Sequence, residues 1–403
     1  MMFFNTTSGK LEVWNGSAWK EAATTGGGEI IPLWNWGNNL SGQLGDNTTT
    51  NRSSPVSIVG GFTDWVQVSC GLSNTVAIRA NGTAWGWGRN NFGQLGDGST
   101  TNRSSPVSVV GGFTDWVQLG SSGQYHRAGI RLNGTAWSWG RNGYGSLGDN
   151  TTTNRSSPVS VVGGFTDWVQ VSCGLSNTVA IRANGTAWGW GRNYWGNLGD
   201  NTTTNRSSPV SVVGGFTDWV QIAGGEQHTA AIRSNGTAWA WGQNYLGQLG
   251  NNTTTNRSSP VSVVGGFTDW VQVSCGSYHT VAIRANGTAW AWGSNNSGQV
   301  GDNTATSRSS PVSVVGGFTD WVQISASSRS AFAVAIRANG TAWAWGLGAS
   351  GNLGDGSTTN RSSPVSVVGG FTDWVQISAG ALNAAALRSQ PKRNLTRRPE
   401  PRR

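Results

Sequence analysis

The chain has 403 residues, of which only 11% are charged, with 61 glycines, 24 tryptophans and a formal net charge of +9. Few lysines and glutamates rule out a typical helical bundle, and abundant aromatics with little charge set the chain apart from disordered ones. Three cysteines do not make a disulfide scaffold, glycine has no period of three, and no apolar run is long enough for a membrane helix, which leaves a large Gly- and Trp-rich β protein.

Residues 1–30 stand apart from the rest of the chain. Leu11 to Lys20 predicts a hairpin around Asn15-Gly16, and Ala22 to Gly28 predicts a flexible linker. Met1 to Lys10 lacks the apolar stretch of a signal peptide, so the expected location is cytoplasmic, or virion-associated if the chain is phage-encoded.

From Ile31 onward the chain repeats with a period near 51 residues. Phe-Thr-Asp-Trp begins at Phe62, Phe113, Phe165, Phe216, Phe267, Phe318 and Phe371. Arg-Ser-Ser-Pro places its proline at Pro55, Pro106, Pro158, Pro209, Pro260, Pro311 and Pro364. Trp-x-Trp-Gly begins at Trp34, Trp85, Trp137, Trp188, Trp239, Trp290 and Trp343. These markers account for 21 of the 24 tryptophans; Trp14, Trp19 and Trp195 lie outside them.

Each unit predicts four short strands. Trp65 to Ser69 alternates, and Thr75 to Arg79 is short, apolar and β-branched. Asn81-Gly82 predicts a type I′ hairpin turn with φ > 0 at both residues, returning into Thr83 to Trp87. A proline-led strand comes next, and proline at its start suits an outer edge. Alternation puts Trp85 and Trp87 on one face, with Gly86 opposite to let a neighbouring sheet approach.

The ends are complementary. The first unit begins at Leu33-Trp34 without its two leading strands, and the last stops near Arg388 without its two trailing ones. The expected fold is therefore all-β: a seven-bladed β-propeller of four-stranded blades, spanning 31–389 and closed by pairing the N- and C-terminal segments. Residues 390–403 predict a basic disordered tail.

Ser274-Cys275-Gly276-Ser277-Tyr278-His279-Thr280-Val281-Ala282-Ile283, then Asn286-Gly287, Trp290-Ala291-Trp292-Gly293 and the Gly93-Gln94-Leu95-Gly96-Asp97 element together resemble the regulator of chromosome condensation repeat, over about residues 31–389. The resemblance implies a seven-bladed propeller. It also brings three alternative functions known in that family: protein inhibition through one loop face, guanine-nucleotide exchange on a small GTPase, and ultraviolet sensing. The sensor's Gly-Trp-Arg-His-Thr motif is missing, Gly225-Glu226-Gln227-His228-Thr229 being nearest. The N-terminal hairpin is similar to short terminal modules of bacteriophage structural proteins, which suggests a phage or bacterial origin.

The seven copies differ from one another mainly in two windows, one after Trp-x-Trp-Gly and one after Trp-Val-Gln. These windows hold Arg89, Phe92, Tyr125, His126, Arg127, Arg141, Tyr144, Arg192, Tyr194, Trp195, Tyr245, Leu246, Tyr278 and Arg329. Tyr, Trp and Arg dominate binding hot spots because they offer large, stiff, amphipathic contact area. Drift in duplicated loops is the competing explanation, but it predicts mostly small polar replacements. The fourteen residues are therefore the candidate binding surface. Its surplus of arginines points to a protein or an anionic glycan as partner, with nucleic acid as an alternative through the basic tail.

No catalytic constellation stands out, and the reading is non-catalytic, with no cofactor and no metal. Cys70, Cys173 and Cys275 share one repeat position and would be far apart in a ring, as small buried thiols. His126, His228 and His279 share a position that Asn74, Asn177 and Asn383 fill in other copies, which predicts a hydrogen-bonding role. Asp46 and Asp64 predict turn caps.

Overall fold

The computed structural model describes residues 2–5, 10–14, 19–21, 29–121 and 123–391. Seven four-stranded antiparallel sheets form the blades of a β-propeller. Blade 1 runs from its innermost strand Trp65–Cys70 through Asn74–Arg79 and Ala84–Gly88 to the outermost Arg103–Ser108. Blades 2 to 6 begin at Trp116, Trp168, Trp219, Trp270 and Trp321 and repeat this order.

Blade 7 is shared. Its two inner strands, Trp374–Ala379 and Asn383–Arg388, come from the C-terminal side, and its two outer strands, Leu33–Gly37 and Arg52–Ser57, from the N-terminal side. The seam pairs Asn383 with Gly37 and Leu387 with Leu33 in unbroken antiparallel register. A further short pairing, Gln390–Pro391 with Glu29–Ile30, extends beyond it. Upstream, Met2–Asn5, Lys10–Trp14 and Trp19–Glu21 form a separate three-stranded sheet, so the predicted hairpin gains a third strand. The Asn15-Gly16 turn, the linker at 22–28 and the tail beyond 391 lie outside the described residues.

Two local expectations are corrected. At Asn81-Gly82 only Gly82 has positive φ (73°), and its N–H donates to Arg79 O at 2.8 Å. The connection is thus a three-residue loop over Ala80-Asn81-Gly82 with glycine in the left-handed position, instead of a two-residue type I′ turn. Asn81 Oδ1 accepts from both the N–H and the hydroxyl of Thr83, which explains the invariant Asn-Gly-Thr. Pro106 sits inside the outermost strand instead of at its start. It falls where the register shifts between Arg103↔Gly88 and Val107↔Gly86, so the ladder is already broken where proline has no N–H to give.

The tryptophans of the repeat are core. The second Trp of each pair is fully buried. Trp87 meets Trp65 with ring centroids 6.0 Å apart, and Phe62 packs edge-on against Trp65 at 5.7 Å. Gly86 is approached by Leu95 of its own blade's loop, where a neighbouring sheet was expected. That loop wedges between blades: Trp139 Nε1 of blade 2 donates to Gln94 O at 3.1 Å, and Gly96 lies against the same ring. Gly96 has φ +72°, and a Cβ there would stand 2.8 Å from Trp139 Nε1. Gly96→Ala should therefore cost roughly 2 kcal/mol, from left-handed strain plus overpacking, read as a lowered melting midpoint.

Glutamines of Trp-Val-Gln knit the innermost strands into a hoop. Gln67 Oε1 accepts Leu119 N at 2.7 Å, and Gln118, Gln170, Gln221, Gln272 and Gln323 each accept a backbone N–H of the following blade. Gln376 closes the circle by accepting Val68 N at 2.8 Å. These strands line an axial channel of about 620 Å³.

Candidate functional site

Antiparallel pairing puts both variable windows at one end of every blade. The innermost-to-second-strand loop and the third-to-outermost loop flank the paired residues Asn74 and Gly88, and Arg89 N donates to Ser73 O at 2.7 Å. The Asn-Gly loops and Phe-Thr-Asp segments lie at the other end, where Ala80 N donates to Asp64 O. One face of the ring is thus nearly constant and the other carries the differences.

On the variable face the aromatic and arginine side chains meet across successive blades. Phe92 of blade 1 packs edge-on against Tyr125 of blade 2 at 5.8 Å, and the Arg141 guanidinium lies 5.3 and 5.2 Å from those two rings. Arg192 of blade 3 lies 5.5 Å from the Tyr144 ring of blade 2. Trp195 is gripped edge-on between Tyr194 at 4.8 Å and Tyr245 of blade 4 at 4.9 Å. Tyr194 is 63% exposed and Tyr245 50%. The result is an aromatic crescent over blades 1 to 4. Leu246 is half-buried beside Tyr245, and Arg89 is half-buried outside these contacts.

The channel mouth is bridged. Asp115 and Arg131 pair across 16 residues and Asp320 and Arg337 across 17, against 15 in blade 1, so blades 2 and 6 carry longer inner loops. These loops reach each other across the ring: Gln124 Nε2 donates to Ser328 O at 2.6 Å, and Arg329 Nη1 to the Tyr125 hydroxyl at 2.8 Å. Glu226 lies nearby. Burial pushes its carboxyl above the usual range, while Ser277, Arg329 and Arg192 pull it back. Tyr278, exposed on blade 5, has its hydroxyl pushed up by burial and by Glu226.

Two candidate residues leave the surface. Arg127 is completely buried and donates to Asn74 O at 3.1 Å, Asn74 Oδ1 at 3.0 Å and Ser69 Oγ at 3.3 Å of blade 1. Burial lowers its pKa to about 10. His126 is buried as well, with Nε2 2.8 Å from Thr178 Oγ1 of the next blade. Both are clasps between blades, because their side chains point into the blade interface, and neither can touch a docked partner. A sequence signal for Arg127 exists: it occupies the position of Thr75, Thr178, Thr229 and Thr280, whose hydroxyls donate to carbonyls of the preceding blade.

His228 repeats the His126 contact on Thr280 at 2.9 Å. Burial first, then Arg127, holds His126 down to about 3; burial and His279 hold His228 to about 3; burial holds His279 to about 4. The cysteines are buried and free, and burial raises their thiols to about 11, 11 and 12. Asp46 does cap a turn, accepting Thr48 N, and pairs with Arg52 at 3.0 Å. Burial alone would raise its pKa, but bonds from Thr48, Arg52 and Asn39 outweigh that and hold it low. Asp64, expected as a cap, instead pairs with Arg79 at 2.8 Å, whose guanidinium lies 4.2 Å from the Phe62 ring.

The RCC1-like domain matches residues 121–386, and the regulator of chromosome condensation (RCC1) repeat matches 33–78 and 81–130. The chain is 32% identical over 348 residues to the ultraviolet-B receptor UVR8 of Arabidopsis thaliana, covering 84% of this chain and 77% of that one. It is 30% identical over 258 residues to the human E3 ubiquitin-protein ligase HERC2, covering 62% of this chain but 5% of the ligase. The crystal structure of Prp20p from Saccharomyces cerevisiae, described with its binding to Gsp1p and histones, has the same fold, with TM-score 0.80 at 20% identity over 89% of this chain and 92% of that one.

Proposed function

The chain belongs to the regulator of chromosome condensation (RCC1) repeat family, and on that premise we propose that it is a non-catalytic interaction propeller whose variable face holds a protein partner. One observation carries this reading: the substitutions among near-identical blades converge on one face as a crescent of aromatic and arginine clusters, each bridging two neighbouring blades. Drift would scatter small polar residues around the ring. Protein binding by Prp20p, to Gsp1p and histones, supports a protein over a glycan or a nucleic acid. A virion-associated setting belongs to the same proposal, and detection in purified particles tests it.

Tyr194→Ala, Trp195→Ala and Tyr245→Ala combined should abolish capture of the partner from native extract, since truncating central aromatic anchors costs about 2 kcal/mol or more each. The melting midpoint should move little, because both tyrosines are exposed and the half-buried Trp195 packs edge-on against those same two rings. Unchanged capture would sink the reading. Accelerated nucleotide release from a small GTPase, lost on the same substitutions, would replace it with exchange activity.

A further inference from the structure

Ion pairing divides the propeller's charge unevenly between its faces. On the constant face seven arginines meet seven aspartates, from Arg79–Asp64 round to Arg388–Asp373. On the variable face six arginines of the Arg52 type meet six aspartates. The seventh aspartate is missing: blade 4 has Asn251. Arg257 is therefore exposed and its guanidinium has no partner among the described residues, whereas its counterpart Arg206 pairs with Asp200 at 3.0 Å. Arg89, Arg141, Arg192 and Arg329 add to the same face, and among the described residues Glu226 is its one acid outside the Arg–Asp pairs.

The crescent is also most exposed where blade 3 meets blade 4, at Tyr194 and Tyr245. Asn244, next to Tyr245, donates from Nδ2 to Asn251 Oδ1 at 3.0 Å and from its backbone to Asn256 Oδ1 at 2.8 Å. From the other side Gly196, next to Trp195, sits directly on Ser258, and Asn201 N donates to Ser258 O at 2.9 Å. The freed arginine thus stands between the loop carrying Tyr245 and the loop carrying Tyr194 and Trp195. We propose that Arg257 and the Tyr194–Trp195–Tyr245 cluster form a subsite for an acidic protein segment, the aromatic edges taking an apolar side chain and Arg257 a carboxylate. This rests on the interaction reading and names the chemistry of the partner.

Charge complementarity selects this occupant. A nucleic-acid track wants cations spaced along a backbone. Here Arg141 and Arg192 are held over aromatic rings, and Glu226, which feels the charges of Arg192 and Arg329, would repel a continuous phosphate chain. A peptide with separated carboxylates can set one on Arg257 and keep the others clear of Glu226.

Asn251→Asp tests the idea without removing anything, because it restores the ion pair that six blades already make. The probe is a labelled short peptide of glutamates interspersed with phenylalanines, titrated at low and moderate salt against the full chain. Binding should weaken with salt, be lost when glutamine replaces glutamate, and fall about three- to fivefold in Asn251→Asp, the size of one exposed charge contact. No binding of the glutamate peptide, equal binding to Asn251→Asp, or preferential binding of a single-stranded oligonucleotide would each overturn the proposal. If the triple alanine variant loses its native partner while Asn251→Asp keeps it fully, the interaction reading stands and the acidic subsite falls.

Discussion

A chain ending at residue 373 should not fold cooperatively. Ending there removes both inner strands of blade 7. Leu33 and Trp36, now about 1% and 0% exposed, would lose the strands they pack on, and the glutamine hoop would open at Gln376. Both flanking blades would present bare faces, and exposing several buried Trp and Leu side chains costs about 2 kcal/mol apiece, more than a domain's usual margin. The expected readout is aggregation, or a broad melt without a transition. A circular permutant should behave in the opposite way. Begun at Trp65, with Arg388 joined to Leu33 through an Ala-Asn-Gly-Thr loop, it supplies blade 7 with the connection that blade 1 has at Ala80 to Thr83. It should melt as one transition. Failure of the permutant alongside cooperative folding of the truncation would mean that the seam does not hold the ring.

Acid should destabilise the protein well above the carboxylate range. His126, His228 and His279 have an ordinary pKa of 6.5 when the chain is unfolded, and folded values of about 3, 3 and 4. A depressed histidine pKa means that the unfolded chain binds more protons below pH 6.5. Stability is therefore complete above that pH and declines as the pH falls, until the folded values are reached. At pH 5 each histidine contributes roughly 2 kcal/mol of loss, and the three together about 6 kcal/mol. The Asn found at this position in blades 1, 3 and 7 supplies the control. With His126→Asn, His228→Asn and His279→Asn combined, the difference in denaturation midpoint between pH 7 and pH 5 should largely disappear. An unchanged difference would mean that the histidines titrate freely in the folded ring.

The blade count was legible because each marker belongs to one strand or loop, and seven copies with complementary ends admit a closed ring. Turn type at Asn81-Gly82 was not, because a pair of residues does not say whether the loop closes over two or three. Pro106 misled for a similar reason, since a proline's tolerance depends on the partner strand's register. At the site, the windows could be found by comparing copies, but their sidedness could not be read until strand pairing put both loops at one end. Arg127 and His126 misled because loop-flanking polar residues read as exposed, whereas this strand is packed on both faces, so its alternation turns Arg127 onto blade 1 and His126 onto blade 3. The Gln124–Ser328 bridge joins residues 204 apart, and local pattern encodes it only as extra loop length.

The seam in blade 7 also decides how the molecule can be presented. In the other blades the second and third strands are joined by an Asn-Gly loop on the constant face, and in blade 7 the chain enters the ring at Leu33 and leaves it at Arg388 through that gap. A tether placed directly before Glu29 or directly after Pro391 would consequently start from the charge-balanced side. A propeller fixed through such a tether, to a larger assembly or an experimental support, would display the aromatic crescent outward, with its approach unobstructed by the attachment.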